Sequence, residues 1–63
     1  MVINGKKYDF NNISIKEMLE KFKLNEDKVV VEVNFKIVPK EQYTEFILNK
    51  EAAVEIVSFI GGG

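Results

Sequence analysis

The 63-residue sequence contains no cysteine and no histidine. These absences exclude a cysteine nucleophile, a serine–histidine pair, a disulfide bridge and a zinc site with Cys or His ligands. Carboxylates could still bind a metal ion, but no Asp or Glu spacing in this chain resembles such a site. We therefore expect a protein that is not an enzyme by itself and that has no metal and no cofactor of its own.

The sequence also has little net charge and no long apolar run. Nine basic residues face ten acidic ones, for a formal charge of -1, whereas nucleic-acid binding needs a basic face. No apolar run approaches the roughly 18 residues of a membrane span, and the first residues lack the pattern of a signal peptide. We expect a cytoplasmic protein that binds neither nucleic acid nor membrane.

Local signals predict a β-hairpin followed by a helix. Asn4-Gly5 favours a tight type I′ turn between strands at residues 1–3 and 8–10. Ser14 and Glu17 form a capping box, which predicts a helix over residues 14–22 with Ile13 stapled onto Met18. One face of this helix is apolar and is expected to pack in the core: Ile15, Met18, Leu19 and Phe22.

The second half of the chain predicts further strands. The expected elements are a β-branched strand at 29–33, a turn at 34–36, a short strand at 37–38, a helical turn at 40–43, a segment returning to the core at 46–48, a connection at 49–52 and a last strand at 53–59. One helix can cover only one face of such a sheet, which predicts an α+β fold. A mixed sheet with the first and last strands parallel and adjacent is the β-grasp arrangement, and that pairing is taken from the known form of the fold.

The sequence ends in Gly61-Gly62-Gly63. With glycine at about 7% of ordinary sequence, three at one place are expected about three times in ten thousand. A tail without Cβ atoms can enter a slot too narrow for other residues, and it leaves the Gly63 carboxylate open to activation by another enzyme. We divide the chain into a domain at 1–60 and a flexible tail at 61–63. The competing interpretation is a frayed end or an expression remnant.

Three features together resemble the ubiquitin-like sulfur carriers of thiamine-thiazole biosynthesis, the ThiS family. Residues 33–43 match the family's Val-Asn turn, its Ile-Val-Pro-Lys run and the aromatic that follows. Residues 54–60 look like its last strand, and the terminal glycines complete the likeness, which spans nearly the whole chain. The family usually has Gly-Asp in the turn before the last strand, where this chain has Glu51-Ala52. We therefore expect a different turn geometry there.

The resemblance implies a carrier whose reactive group is the Gly63 carboxylate. A ubiquitin-activating-like adenylyltransferase would use Mg-ATP to adenylate Gly63, and sulfur drawn from a cysteine desulfurase would then give a thiocarboxylate. Thiazole synthase would accept that sulfur. Gly61 and Gly62 would thread the partner's active site.

Docking to such a partner needs an exposed surface near the tail. If Val54 and Ile56 face the helix, then Val57 and Phe59 lie on the outer face of the sheet, and together with Ile60 they would form a docking surface. Phe59 could equally fold back onto the edge of the core. Lys40 and Tyr43, although part of the matching motif, are expected to be a solvated lysine and a core aromatic with its hydroxyl in water.

Other functions remain open at the level of sequence. The small subunit of molybdopterin synthase shares the fold, the Gly-Gly end and the thiocarboxylate chemistry, usually on a longer chain that lacks the Ile-Val-Pro-Lys run. A protein modifier that forms isopeptide bonds to lysines would use the same activation step. A plain interaction domain, in which the glycines have no function, is the fourth interpretation.

Overall fold

A computed structural model describes residues 1–59 as a sheet with one helix packed on it. Its elements are β1 (Val2–Ile3), β2 (Lys6–Lys7), β3 (Ile13–Ser14), α1 (Ile15–Lys21), β4 (Val29–Val33), β5 (Lys36–Val38), β6 (Ile47–Leu48) and β7 (Ala53–Ser58). Two 3₁₀ turns, Glu26–Lys28 and Lys40–Gln42, precede β4 and follow β5. The predictions for Ile60 and for the tail at 61–63 lie outside the described residues.

The main sheet has the strand order β2-β1-β7-β4-β5. β7 lies at its centre, parallel to β1 with Val2 opposite Ala53, and antiparallel to β4 with Val31 opposite Ile56. The first and last strands are therefore adjacent and parallel, and the β-grasp prediction is confirmed. The strand that leads to the tail thus has a hydrogen-bonded neighbour on both sides.

The helix forms where the capping box predicts it. The Glu17 N–H donates to Ser14 Oγ at 3.0 Å, and the Ser14 N–H donates to Glu17 Oε1 at 2.9 Å. These two bonds satisfy amide groups that have no partner within the helix. Ser14 and Phe22 are the cap residues on either side of α1, so the predicted helix is confirmed with its ends counted as caps.

The core lies between α1 and the inner face of the sheet. Alternate residues of β4 and β7 point towards the helix, as the two-residue period of a strand requires. The buried apolar side chains are Met1, Ile3, Ile15, Met18, Leu19, Val29, Val31, Val33, Val38, Tyr43, Leu48, Ala52, Val54 and Ile56. The predicted apolar face of α1 is therefore in the core, with Phe22 half-buried against it.

The first hairpin has the predicted turn but a different second strand. Asn4 and Gly5 have φ of 52° and 79°, the positive values that a type I′ turn needs. β2 is Lys6–Lys7 instead of residues 8–10, so the predicted second strand is wrong. Tyr8 still pairs with Met1, because its N–H donates to the Met1 carbonyl at 2.8 Å and its carbonyl accepts from the Met1 amino group at 2.9 Å. Its ring packs edge-on against Phe22 of the helix cap at a centroid distance of 5.2 Å.

A second small sheet was not predicted. β3 pairs with β6, with Ile13 opposite Leu48, and this pair joins the chain before the helix to the segment after Pro39. Leu48 returns to the core as expected, whereas Ile47 is exposed. Ile13, predicted to staple onto the helix, belongs to this sheet and packs half-buried against the core.

The turn before β7 is built without glycine. The Glu51 N–H donates to Asn49 Oδ1 at 2.9 Å, and the Ala52 N–H donates to the Asn49 carbonyl at 3.1 Å. An Asn side chain that bonds its own backbone two residues later replaces the glycine turn. None of these residues has a positive φ. Ala52 is buried, and its carbonyl accepts from the Val2 N–H.

The turn between β4 and β5 is strained. Asn34 and Phe35 have φ of 52° and 70°, a region that a bulky side chain rarely adopts. Phe35 is 90% exposed, so its ring gains almost no packing in return. Lys36, predicted to lie in the turn, is the first residue of β5, and Phe59, predicted to lie in the last strand, follows the end of β7.

Replacing Phe35 with glycine should stabilise the protein. Glycine adopts a positive φ without strain, and the expected gain is about 1 kcal/mol, or roughly 4–8 °C in Tm. Thermal unfolding followed by circular dichroism measures it. Phe35→Ala keeps the Cβ atom at the same φ and should give no such gain. An equal rise in both variants would assign the effect to the lost aromatic ring instead of the backbone.

Candidate functional site

The two faces of β7 differ sharply in burial near the tail. Val54 and Ile56 are 2% and 9% exposed and face the helix, whereas Val57 is 56% exposed on the opposite face. Phe59 is 48% exposed, and its N–H donates to the Lys28 carbonyl at 3.0 Å. The expected orientations of Val54, Ile56 and Val57 are therefore observed, and Phe59 is exposed and not part of the core. The docking role of both residues stays a prediction.

The outer face around Val57 combines apolar and acidic groups. We define the outer face by the sheet residues Val30, Glu32, Ile37, Glu55 and Val57. Val30 lies directly opposite Val57, and Glu32 lies opposite both Glu55 and Ile37. Like charges directly opposite on a sheet are destabilising. The repulsion between these two carboxylates therefore lowers the stability of the isolated protein, and a basic group on a partner could relieve it.

Lys40 has a specific partner. Its Nζ lies 2.5 Å from Asp27 Oδ1, and both side chains are exposed. The hydrogen bond and charge of Lys40 lower the pKa of Asp27, and Asp27 raises the pKa of Lys40 for the same reasons. An exposed pair of this kind contributes little to stability. The exposure of Lys40 agrees with its predicted role as a solvated lysine, and the pairing with Asp27 was not predicted.

Tyr43 belongs to the core. It is only 3% exposed, and burial raises the pKa of its hydroxyl. The prediction of a core aromatic is confirmed, and the contact of its hydroxyl with water stays a prediction. The second small sheet brings the chain after β5 back against the helix. In this segment the Tyr43 carbonyl accepts from the Lys16 N–H at 3.0 Å.

The described part of the chain was also compared with the requirements of a metal site and of a membrane span. Residues 1–59 contain no group of three or more acidic residues placed to bind a metal ion. Within the same residues, no helix is long and apolar enough to cross a membrane. The predicted reactive residue Gly63, the threading residues Gly61 and Gly62, and the docking residue Ile60 lie outside the described residues.

Comparison with known proteins gives consistent matches over the whole chain. The model of the ThiS family matches residues 1–63. The sulfur carrier protein ThiS of Bacillus subtilis (strain 168) is 38% identical over 63 residues, which cover 97% of this chain and 96% of that protein. The crystal structure of the thiamine biosynthesis protein ThiS from Geobacter metallireducens superposes with a TM-score of 0.79 at 29% identity, covering 98% and 96% of the two chains.

A longer protein also contains a matching segment. The thiazole synthase of Paramagnetospirillum magneticum (strain ATCC 700264 / AMB-1) is 39% identical over 64 residues. The match covers all of this chain but 20% of the synthase, so the chain spans a fifth of the length of that relative.

The two faces of β7 predict losses of stability of different size when valine or isoleucine is replaced with aspartate. Val57→Asp places a carboxylate in water and should cost about 1 kcal/mol or less. Ile56→Asp buries an unpaired carboxylate and should cost more than about 3 kcal/mol, enough to unfold a small domain. Urea denaturation measures the free energy of unfolding of each variant and compares the two losses. Similar losses at both positions would contradict the assignment of Val57 to the outer face.

Proposed function

The chain belongs to the ThiS family, and on that premise we propose that it carries sulfur for thiazole formation in thiamine biosynthesis. The observation that supports this most is the likeness to the Bacillus subtilis sulfur carrier over 96% of that protein's length. The final three glycines of this sequence supply the reactive end. In this role the protein is a carrier and its partners perform the catalysis.

The chemistry takes place on the carboxylate of Gly63. A carboxylate resists nucleophiles because attack loads more negative charge on an anionic group and must expel a poor leaving group. The partner adenylyltransferase removes this obstacle with Mg-ATP: the carboxylate oxygen attacks the α-phosphorus, pyrophosphate leaves and an acyl adenylate forms. The outer sulfur of a persulfide formed by a cysteine desulfurase then attacks the acyl carbon and AMP departs, which gives an acyl disulfide. A thiol attacks the other sulfur of that S–S bond, forms a new disulfide and releases the thiocarboxylate.

The tail reaches the partner's active site while the domain stays outside. Water would hydrolyse the acyl adenylate, so the activating and accepting enzymes must close around the reacting group. Gly61 and Gly62 have no side chains and can pass through such a closed entrance. Gly63 would carry the reacting atoms, and the two preceding residues would give reach and clearance.

The outer face, together with Phe59 and Ile60, which precede the tail in sequence, is the proposed docking surface for the adenylyltransferase. Val57 offers an exposed apolar side chain close to the tail. On the same face, Glu32 and Glu55 lie opposite each other. This pair of carboxylates favours a partner that presents basic groups. Apolar contacts would then supply affinity, and the paired carboxylates would supply orientation.

Thiazole synthase is the proposed sulfur acceptor. The Paramagnetospirillum synthase contains, within one polypeptide, a segment that matches the whole of this chain. Covalent linkage raises the effective concentration of two modules that act on each other, so that arrangement supports a partnership between the carrier and the synthase. A cytoplasmic location remains a prediction.

Adenylation can be tested with the cognate adenylyltransferase by ATP–pyrophosphate exchange. We expect exchange that depends on the carrier, saturates with its concentration and disappears when Gly63 is deleted. The enzyme's activity should be verified separately with a carrier it is known to adenylate. An active enzyme that gives no exchange with this protein would overturn the proposed function.

Side chains at Gly62 should impair adenylation in order of their size. Gly62→Ala should slow exchange modestly and Gly62→Val by about 100-fold, since a branched side chain would hold the carboxylate away from ATP. Both variants should keep the wild-type Tm because the substitution follows the folded domain. Normal exchange with Gly62→Val would refute the steric argument.

Val57→Asp should weaken recognition by the same enzyme. The KM for the carrier in pyrophosphate exchange is expected to rise about tenfold, since an apolar contact is replaced by a charge near two glutamates. Glu20 lies exposed on the helix, and Glu20→Gln serves as a surface control that should leave KM unchanged. An unaltered KM in Val57→Asp would remove Val57 from the docking surface.

A further inference from the structure

Two asparagine side chains hold the backbone of β7. Asn4 and Asn34 each occupy the first position of a two-residue turn with a positive φ, and both have φ of 52°. Each side-chain oxygen accepts from an N–H of β7: Asn4 Oδ1 from Ile56 at 2.7 Å, and Asn34 Oδ1 from Ala53 at 3.1 Å. The two asparagines thus bond the same strand at different points along its length.

Asn4 extends the parallel pairing of β1 and β7 beyond the end of β1. Its backbone N–H donates to the Val54 carbonyl at 2.9 Å. Its side chain then bonds both backbone groups of Ile56, accepting from the N–H and donating from Nδ2 to the carbonyl at 3.2 Å. The amide side chain therefore replaces one more strand residue. β7 gains a further step of pairing while the chain of β1 turns away into the hairpin.

These bonds lie close to the point where β7 loses support on one side. Of the bonds that residues 1–59 make to β7 from the β1 side, those of Asn4 lie nearest to the tail. Farther along, the strand is bonded from the β4 side, where Val29 lies opposite Ser58 and Lys28 accepts from Phe59. Asn4 is therefore the last residue before the tail that supports β7 from the side of β1.

We propose that Asn4 is a positioning residue for adenylation, because its side chain fixes the direction in which β7 leaves the sheet towards the partner. This inference rests on the proposed function. Val57 directly follows Ile56, whose backbone Asn4 bonds, and Phe59 lies two positions after Val57. A strand end already ordered in the free carrier has less conformational freedom to lose on docking. Loss of the Asn4 amide would therefore act on recognition, with the chemistry at Gly63 unaltered.

Asn34 provides a matched control. It has the same residue type, the same φ and the same place in its turn, and its backbone N–H donates to the Ala53 carbonyl at 2.7 Å. It bonds β7 at the start of the strand, farthest from the tail. Glycine at either position keeps the positive φ and removes only the side chain. Any effect that comes merely from a weaker sheet should appear in both variants.

The test compares Asn4→Gly, Asn34→Gly and the wild type in two measurements. In hydrogen–deuterium exchange, Asn4→Gly should speed exchange of the Ile56 amide and of the amides that follow it, whereas Asn34→Gly should act at Ala53. In pyrophosphate exchange, Asn4→Gly should raise the KM for the carrier roughly fivefold to tenfold with kcat unchanged. Asn34→Gly should leave both constants at wild-type values.

The outcomes separate this inference from the proposed function. If the wild type supports pyrophosphate exchange and the two variants have equal KM values, the role of Asn4 is overturned and the carrier function stays intact. A fall in kcat without a change in KM would also overturn it, because positioning for docking acts on KM. Absence of exchange with the wild type would instead refute the proposed function.

Discussion

The structure depends on the central position of β7. The strand that leads to the tail is paired in parallel with β1 and antiparallel with β4, so its backbone is fixed from both sides. A reactive group on a tail can be delivered reproducibly only if the tail starts from a fixed point. The β-grasp topology provides that point by placing the last strand in the middle of the sheet. The tail therefore follows, in sequence, a strand that is paired on both sides.

The same strand must also serve two environments. Val54 and Ile56 close a small core, while Val57 and Phe59 leave apolar surface in water. A domain of this size has little stability to spare, and exposed apolar side chains and opposed glutamates on the outer face do not add to it. Their presence is accounted for if a partner covers them. Phe35 is a separate case, because it combines a positive φ with an almost fully exposed ring.

Local signals in the sequence predicted local structure. The capping box of Ser14 and Glu17 fixed the start of the helix, and alternation along β7 placed Val57 on the outer face. The parallel pairing of the first and last strands followed from the known form of the fold and not from spacing. Two-residue strands such as β3 and β6 have no periodicity to detect. The contact between Asn4 and Ile56 spans 52 positions, and an Asn-Gly turn signal contains no information about which strand the side chain will bond.

Intact mass spectrometry tests the proposed chemistry of Gly63 most directly. The protein would be co-expressed with its adenylyltransferase and a cysteine desulfurase, and the modified position would be located by fragmentation. We expect the mass gain of one sulfur in place of one oxygen, confined to Gly63. An unmodified mass, with the adenylyltransferase shown to be active, would contradict the assignment of this chain as a sulfur carrier.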